Sequence, residues 1–171
     1  LIRVGSSGSM QPYVHTGDVV VVTAAIRDEG TTSHYLPMEF PAVANIDVVN
    51  ALTAGAQKLG LNFHTGVCQS KDSFYGEVER PRMPMAQHLA DRWNAWIAGG
   101  AVCSEMEAAA LFIISAIHRK RAGGAMLVIN ESDLAEVDEA DTEKHMAEFD
   151  ADRVIKVAIE GLKQLITADH K

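Results

Sequence analysis

Short apolar runs alternate along this chain with stretches whose apolar positions recur every three or four residues, and that alternation predicts strands interleaved with helices. Leu1-Ile2-Arg3-Val4 reads as a core strand running into Gly5-Ser6-Ser7-Gly8-Ser9, a turn of small residues. After a second turn at Thr16-Gly17-Asp18 comes Val19-Val20-Val21-Val22-Thr23, a continuous β-branched run of the kind found in sheets covered on both faces. Residues 27–41 have little periodicity and predict an ordered loop over a pocket, with His34 a hydrogen-bonded structural histidine or a ligand contact. Asn45 or Asp47 can cap a helix whose apolar stripe is Val48, Leu52, Ala56 and Leu59, and Gly60 marks its end. Residues 63–69 read as the next strand. Strand, helix, strand in that order points to a parallel sheet.

The second half follows the same pattern. Residues 70–77 form a polar loop with two aromatics, and residues 89–97 predict a short helix that buries Trp93 and Trp96. Gly99-Gly100 leads into the strand Ala101-Val102-Cys103, a helix reaching Lys120, and a buried strand over residues 125–129. That strand ends in Asn130-Glu131-Ser132-Asp133, at the sheet edge where α/β folds bind ligands. The acidic residues 136–143 predict a solvated loop, and Phe149, Val154, Val157, Ala158, Leu162, Leu165 and Ile166 mark a closing helix.

At 171 residues and 47% hydrophobic positions, the chain can bury one sizeable core and is most simply a single domain over residues 1–171. The net charge of −8, with no dense Lys/Arg block, argues against nucleic acid as a partner and leaves small molecules or other protein chains. Cys68 and Cys103 sit in apolar surroundings and predict buried free thiols in a reducing compartment. The seven histidines are scattered without metal-ligand spacing, so no metal site is expected. With no apolar run of membrane-spanning length and no signal-peptide pattern, the expectation is a cytoplasmic protein without a membrane partner. The opening at Leu1, already inside a strand pattern, predicts a chain that starts within a larger fold, incomplete at its N-terminus.

Three stretches carry candidate chemistry. Arg3 offers a fork of donors for phosphate, and the following glycine–serine stretch offers backbone N–H groups and the Ser6 and Ser7 hydroxyls. Phe74 and Tyr75 serve either as core anchors or as a stacking face for a planar heterocycle, with Glu77, Arg80 and Arg82 near its edge. Ser104-Glu105-Met106-Glu107 lies at a strand-to-helix corner, where Ser104 and Glu107 have the spacing of a capping box. A carboxylate there is also a natural acceptor for the paired hydroxyls of a sugar.

Four motifs in order resemble the bacterial uridine phosphorylases of the nucleoside phosphorylase superfamily. They are Arg3-Val4-Gly5-Ser6-Ser7-Gly8, the run from His34 to Ala44, Ser70-Lys71-Asp72-Ser73-Phe74-Tyr75-Gly76, and Ser104-Glu105-Met106-Glu107-Ala108-Ala109-Ala110-Leu111-Phe112. The resemblance implies a three-layer α/β sandwich around a mixed, largely parallel sheet, in a homo-oligomer built from dimers, a hexamer by family resemblance. It implies a pentosyltransferase that cleaves a nucleoside with inorganic phosphate as co-substrate, giving free base and ribose 1-phosphate without a cofactor. By the same resemblance Arg3 and Ser6 bind phosphate, and Gly8, Phe74, Glu77, Arg80 and Arg82 surround the base. Glu105, Met106 and Glu107 form the ribose site, with Glu107 accepting from the sugar hydroxyls.

The chain departs from the family pattern in two places. Where the family has a glutamine after Phe-Tyr-Gly, this chain has Glu77, or Val78 if the gap moves, and the base-side arginine is Arg80 or Arg82 by the same choice. An ionised glutamate accepts from an N–H but cannot donate to the neighbouring carbonyl. Asn130-Glu131-Ser132-Asp133 also overlays the Ser-Asp of hexameric purine nucleoside phosphorylases, so a purine nucleoside is the second substrate class. Nothing here corresponds to the family's N-terminal βαβ portion, so the isolated polypeptide is expected to turn over weakly or not at all. A non-catalytic nucleoside-binding protein of the same fold and a hydrolytic nucleosidase are the remaining readings.

Overall fold

The computed structural model describes residues 1–131 and 150–170. Its strands are β1 Ile2–Ser9, β2 Val19–Asp28, β3 Ala42–Val43, β4 Phe63–Lys71, β5 Cys103–Glu105 and β6 Gly123–Asn130. The helices are α1 Ile46–Lys58, the single turn α2 Tyr75–Val78, α3 Ala86–Ala98, α4 Ala108–Ile117 and α5 Asp152–Asp169. The acidic residues 136–143, Phe149, Ser132 and Asp133 lie outside the described residues.

The result is a mixed α/β fold with a central sheet and flanking helices. The sheet departs from the expected three-layer, largely parallel sandwich. Parallel pairings (β1–β6, β2–β4, β4–β5) are matched by antiparallel ones (β1–β5, β2–β3, β2–β6), and the sheet closes partway into a barrel. Closure runs through β2. One edge of β2 pairs with β4 along its whole length, while the other is shared, Val19 to Val22 pairing with β6 and Ala24 and Ala25 with β3. Register shifts between Val22 and Ala24 and between Ser7 and Gly8 mark bulges, which deepen local twist and let a sheet this small curl.

The glycine–serine stretch expected as a turn is strand. Residues 2–8 pair with β6 on one edge, and Gly8 and Ser9 pair with β5 on the other. Ladders on both sides outweigh the turn preference of small residues, since sheet context dominates strand propensity. The β5 strand likewise begins at Cys103, later than the expected Ala101.

Val19, Val20, Val21 and Val22 are fully buried, as a run covered on both faces should be. They join Leu52, Phe112, Ile113, Met126 and Val157 in one core that draws on α1, α4 and α5. Asn45, not Asp47, caps α1, its side chain accepting from Asp47 N–H at 3.2 Å and Val48 N–H at 3.4 Å. Gly60, at φ +64°, ends that helical segment in a conformation that favours glycine. None of the described helices is long and apolar enough to cross a membrane.

The aperiodic segment after β2 is ordered by Arg27. All five of its N–H donors are used: Nε on Thr32 Oγ1 (2.9 Å), Nη1 on the Pro37 and Phe40 carbonyls (2.5 and 2.7 Å), and Nη2 on the Thr32 and Leu36 carbonyls (2.9 and 2.8 Å). A loop without periodicity thus has a buried cation as its core. Arg27→Met leaves those carbonyls without their donor. It is expected to cost about 3 kcal/mol in urea unfolding and to make residues 31–41 the first site of limited proteolysis. An unchanged midpoint and cleavage pattern would overturn this role.

Candidate active site

A cleft of about 230 Å³ opens where the ends of β4, β5 and β6 meet the middle of β1. The β1 strand contributes Arg3, Ser6, Ser7 and Gly8, the β5–α4 corner contributes Ser104 to Glu107, and Phe74, Glu77 and Val78 come from the segment around α2. Lys71, Trp93, Ile129 and Asn130 complete the wall. The structure therefore brings together Arg3, Ser6, Gly8, Phe74, Glu77, Glu105, Met106 and Glu107, all singled out from the sequence. His34 lies elsewhere, on an open depression with Tyr35 and Asp72.

Glu105 organises one end of the cleft. Its buried carboxylate accepts from the N–H groups of Glu107 (2.9 Å) and Ala108 (3.0 Å) and from the Ser70 hydroxyl. It lies 2.9 Å from Arg3 Nε, off the line of that N–H, so the contact is Coulombic. The capping box that the spacing offered is therefore not formed: Glu105, three residues ahead of the first residue of α4, caps the helix in place of Ser104. Strand alternation explains the change, because adjacent residues of β5 face opposite ways and only Glu105 turns toward the helix. Ser70 Oγ accepts from Ala109 N–H at 2.9 Å, so the first N–H groups of α4 are used internally. Glu107, freed from capping, is exposed and ion-paired with Arg3 Nη2.

Arg3 reaches both carboxylates by folding back along its own strand. A Cβ on Gly5 would lie 1.9 Å from Arg3 Nη1, so glycine is what this close approach requires. The Ser6 side chain has no hydrogen-bond partner among the described residues and borders the same opening. A flexible guanidinium beside a free hydroxyl is a suitable anion site.

The other end of the cleft is a polar cluster that sequence reading did not assemble. Lys71 Nζ lies 2.6 Å from Glu77 Oε2 and donates to Ser104 Oγ. Ser104 in turn donates to Gln69 Oε1 at 2.7 Å, with Glu77 Oε2 at 3.2 Å, and Gln69 Nε2 donates to Asp28 Oδ2 at 2.8 Å. Gln69, Lys71, Glu77 and Ser104 are all buried. The available signal was period-two alternation: Gln69 and Lys71 share a face of β4, and long polar residues at alternate positions of a buried strand need polar partners.

Behind this wall a second cavity of about 170 Å³ holds Arg80, whose carbon Cζ sits 5.8 Å from the Trp93 ring centroid. Its Nε and Nη2 are enclosed and have no hydrogen-bond partner among the described residues. Arg82 points to solvent and pairs with Glu79, so neither arginine is brought into the main cleft and only Arg80 lies next to Glu77. Asn130 lines the cleft, whereas Glu131 turns aside to accept from Thr16 N–H at 2.8 Å. Both cysteines are free and buried, as expected; burial pushes the Cys68 thiol well up and the Cys103 thiol up to about 12, so neither is a nucleophile.

The family model described as Phosphorylase superfamily matches residues 1–167. The chain belongs to that superfamily. Within it, the chain is 43% identical over 168 residues to a uridine phosphorylase of Treponema pallidum, covering 98% of this chain and 64% of that protein. It is 33% identical to the uridine phosphorylase of Escherichia coli K12, covering 96% and 65%. A purine nucleoside phosphorylase of Plasmodium falciparum is 29% identical, covering 98% and 64%. The chain thus spans just under two thirds of the length of these phosphorylase relatives.

Burial raises the Glu77 carboxyl above the ordinary glutamate value, and the Lys71 charge only partly offsets it. The folded protein then holds this proton to higher pH than the unfolded chain does. The associated stability is full below the unfolded value, about 4.3, and is lost as pH rises through the folded one. Urea unfolding across mildly acidic pH should show wild-type stability falling relative to Glu77→Gln as pH rises. A constant difference would contradict the raised value.

Proposed function

We propose that the complete protein is a nucleoside phosphorylase acting on uridine or a closely related nucleoside. The observation that carries this reading is the lining of one cleft, which brings together a cation and a hydroxyl, an exposed carboxylate at the helix corner, and an aromatic with a buried polar cluster. The names of the Treponema and Escherichia relatives support the same chemistry. Inorganic phosphate sits on Arg3 and Ser6, ribose on Met106 and Glu107 with Glu105 as support, and the base beside Gly8 and Phe74, bounded by the segment from Glu77 through Arg80 to Arg82.

A phosphate oxygen forms a bond to the anomeric carbon as the glycosidic C–N bond breaks; the base leaves with the bonding pair and takes up a proton from phosphate or solvent, giving free base and ribose 1-phosphate. The sugar gains oxocarbenium character, so positioning and charge complementarity lower the barrier, and no metal or organic cofactor is needed. Without ligand, Arg3 and Glu107 neutralise each other. Phosphate competes for Arg3, and its arrival frees the Glu107 carboxylate to accept from ribose hydroxyls. Tyr35, Met38 and Phe40 expose apolar surface on the Arg27 loop, which supports association with further copies of the chain; the dimer-based hexamer and the cytoplasmic location are carried over from the family resemblance alone.

The complete protein incubated with uridine or inosine, with and without phosphate, should release uracil only when phosphate is present. No phosphate-dependent cleavage of any nucleoside would overturn the proposal, equal cleavage without phosphate would make the enzyme a hydrolase, and inosine preferred over uridine would move it to the purine class. Glu107→Ala is expected to lower kcat/KM about a hundredfold with the fold intact by circular dichroism. Unchanged kinetics would remove Glu107 from the ribose site.

A further inference from the structure

The end of β6 that reaches the cleft is the part of that strand its neighbours hold least. Ile129 and Asn130 line the cleft. On one edge the antiparallel ladder to β2 stops at Val19 opposite Leu127. On the other edge the parallel ladder to β1 jumps from Ser7 opposite Val128 to Gly8 opposite Asn130, leaving Ile129 as the extra residue of a bulge. A strand end with one ladder finished and the other interrupted frays unless something else fixes it.

The turn before β2 does so. Gly17 N–H donates to the Val128 carbonyl at 2.8 Å, and Val128 N–H donates to the Asp18 carbonyl at 2.9 Å, so the turn takes over where β2 ends. Beyond Val128 the contact passes to a side chain. Glu131 Oε1 accepts from Thr16 N–H at 2.8 Å, with His15 Nδ1 3.4 Å from Oε2. The turn itself is anchored: buried Asp18 accepts from His15 N–H at 2.9 Å and lies 2.8 Å from His64 Nε2 on β4, and Arg153 Nη1 on α5 donates to the Gly17 carbonyl at 3.1 Å. The Thr16 N–H bond holds the Glu131 carboxyl below the ordinary glutamate value, so the ionised acceptor is the form that is tied.

We propose that Glu131 is a positioning residue for the cleft: its carboxylate, tied to the Thr16 N–H, fixes the end of β6 and so sets where Ile129 and Asn130 stand in the wall. Glu131 itself is exposed and outside the cleft lining. An exposed glutamate is ordinarily replaced at little cost. This one differs because its hydrogen bond carries the placement of two residues that face the ligand. The kinetic side of the inference rests on the cleft being a nucleoside site, whereas the effect on the strand end needs no ligand. Since phosphate is assigned to Arg3 and Ser6 on β1, the effect falls on the nucleoside and spares phosphate.

The test takes the complete protein as wild type, Glu131→Ala and Glu131→Gln, the last of which keeps an acceptor oxygen for the Thr16 N–H. Amide hydrogen exchange read by mass spectrometry is expected to run about tenfold faster over residues 128–131 in Glu131→Ala and close to wild type in Glu131→Gln. Initial rates with uridine and phosphate should show Glu131→Ala raising the KM for uridine about tenfold, with kcat and the KM for phosphate within about twofold of wild type. Glu131→Gln should restore the uridine KM. A residue serving only global stability would lower the urea midpoint and speed exchange throughout without splitting the two KM values. Unchanged exchange at the strand end in Glu131→Ala, or equal losses in the alanine and glutamine variants, overturns the inference. Faster exchange with an unmoved uridine KM in an active enzyme also overturns it, since Glu131 would then hold the strand without placing the cleft wall. If wild type does not cleave uridine with phosphate, phosphorolysis fails, and the exchange comparison still decides what Glu131 does.

Discussion

The buried carboxylate of Glu105 is the constraint on which the rest of the cleft depends. A charge taken out of water costs several kcal/mol unless hydrogen bonds and an opposite charge replace its hydration. Here the replacement comes from three directions: N–H groups at the start of α4, the Ser70 hydroxyl on β4, and the Arg3 guanidinium on β1. Satisfying one side chain therefore fixes the start of the helix, the spacing of β4 and β5, and the position of the cation at the mouth. In this arrangement Glu105 positions Arg3 while the more exposed Glu107 is the partner that a ligand can displace.

The second buried carboxylate, Glu77, is treated differently. It meets a lysine, not an arginine, and it sits within the single turn α2 beside the cleft. A lysine ammonium is a compact charge with rotatable donors, so it can hold a carboxylate and still turn an N–H elsewhere. Arg3, at the other end, spans two carboxylates, Glu105 at Nε and Glu107 at Nη2. The cleft thus carries ion pairs of different build, one at a helix corner and the other within a buried polar cluster.

Much of this was legible in the residues themselves. The valine run, the Asn45-capped helix and the alternation of strands with helices follow from periodicity and local caps, which depend on near neighbours. Arg3, Ser6, Phe74 and Glu107 stood out because their motifs occur in family order. What periodicity does not encode is which strand edges meet, so the closure of the sheet through β2 and the strand character of residues 5–9 were hidden in long-range pairing. Lys71 was hidden for the same reason. Its partner Glu77 sits across a loop and Ser104 lies on another strand, so only the assembled fold turns a polar residue at the end of β4 into part of a site.

The capping motif shows how one local rule gives way to another. A Ser-x-x-Glu pattern favours Ser104 as the cap, but Ser104 and Glu105 are consecutive residues of a strand and must face opposite sides. Once β5 pairs with β4 and β1, only one of them can turn to the helix, and the longer carboxylate reaches two N–H groups where the hydroxyl can serve one. That choice releases Ser104 to the Lys71 cluster and Glu107 to the mouth of the cleft. A single strand register thereby assigns three neighbouring residues to three different surfaces. A slip of one residue would exchange Ser104 and Glu105, leaving a hydroxyl to serve one N–H at the helix start and placing a second carboxylate among Glu77, Lys71 and Gln69.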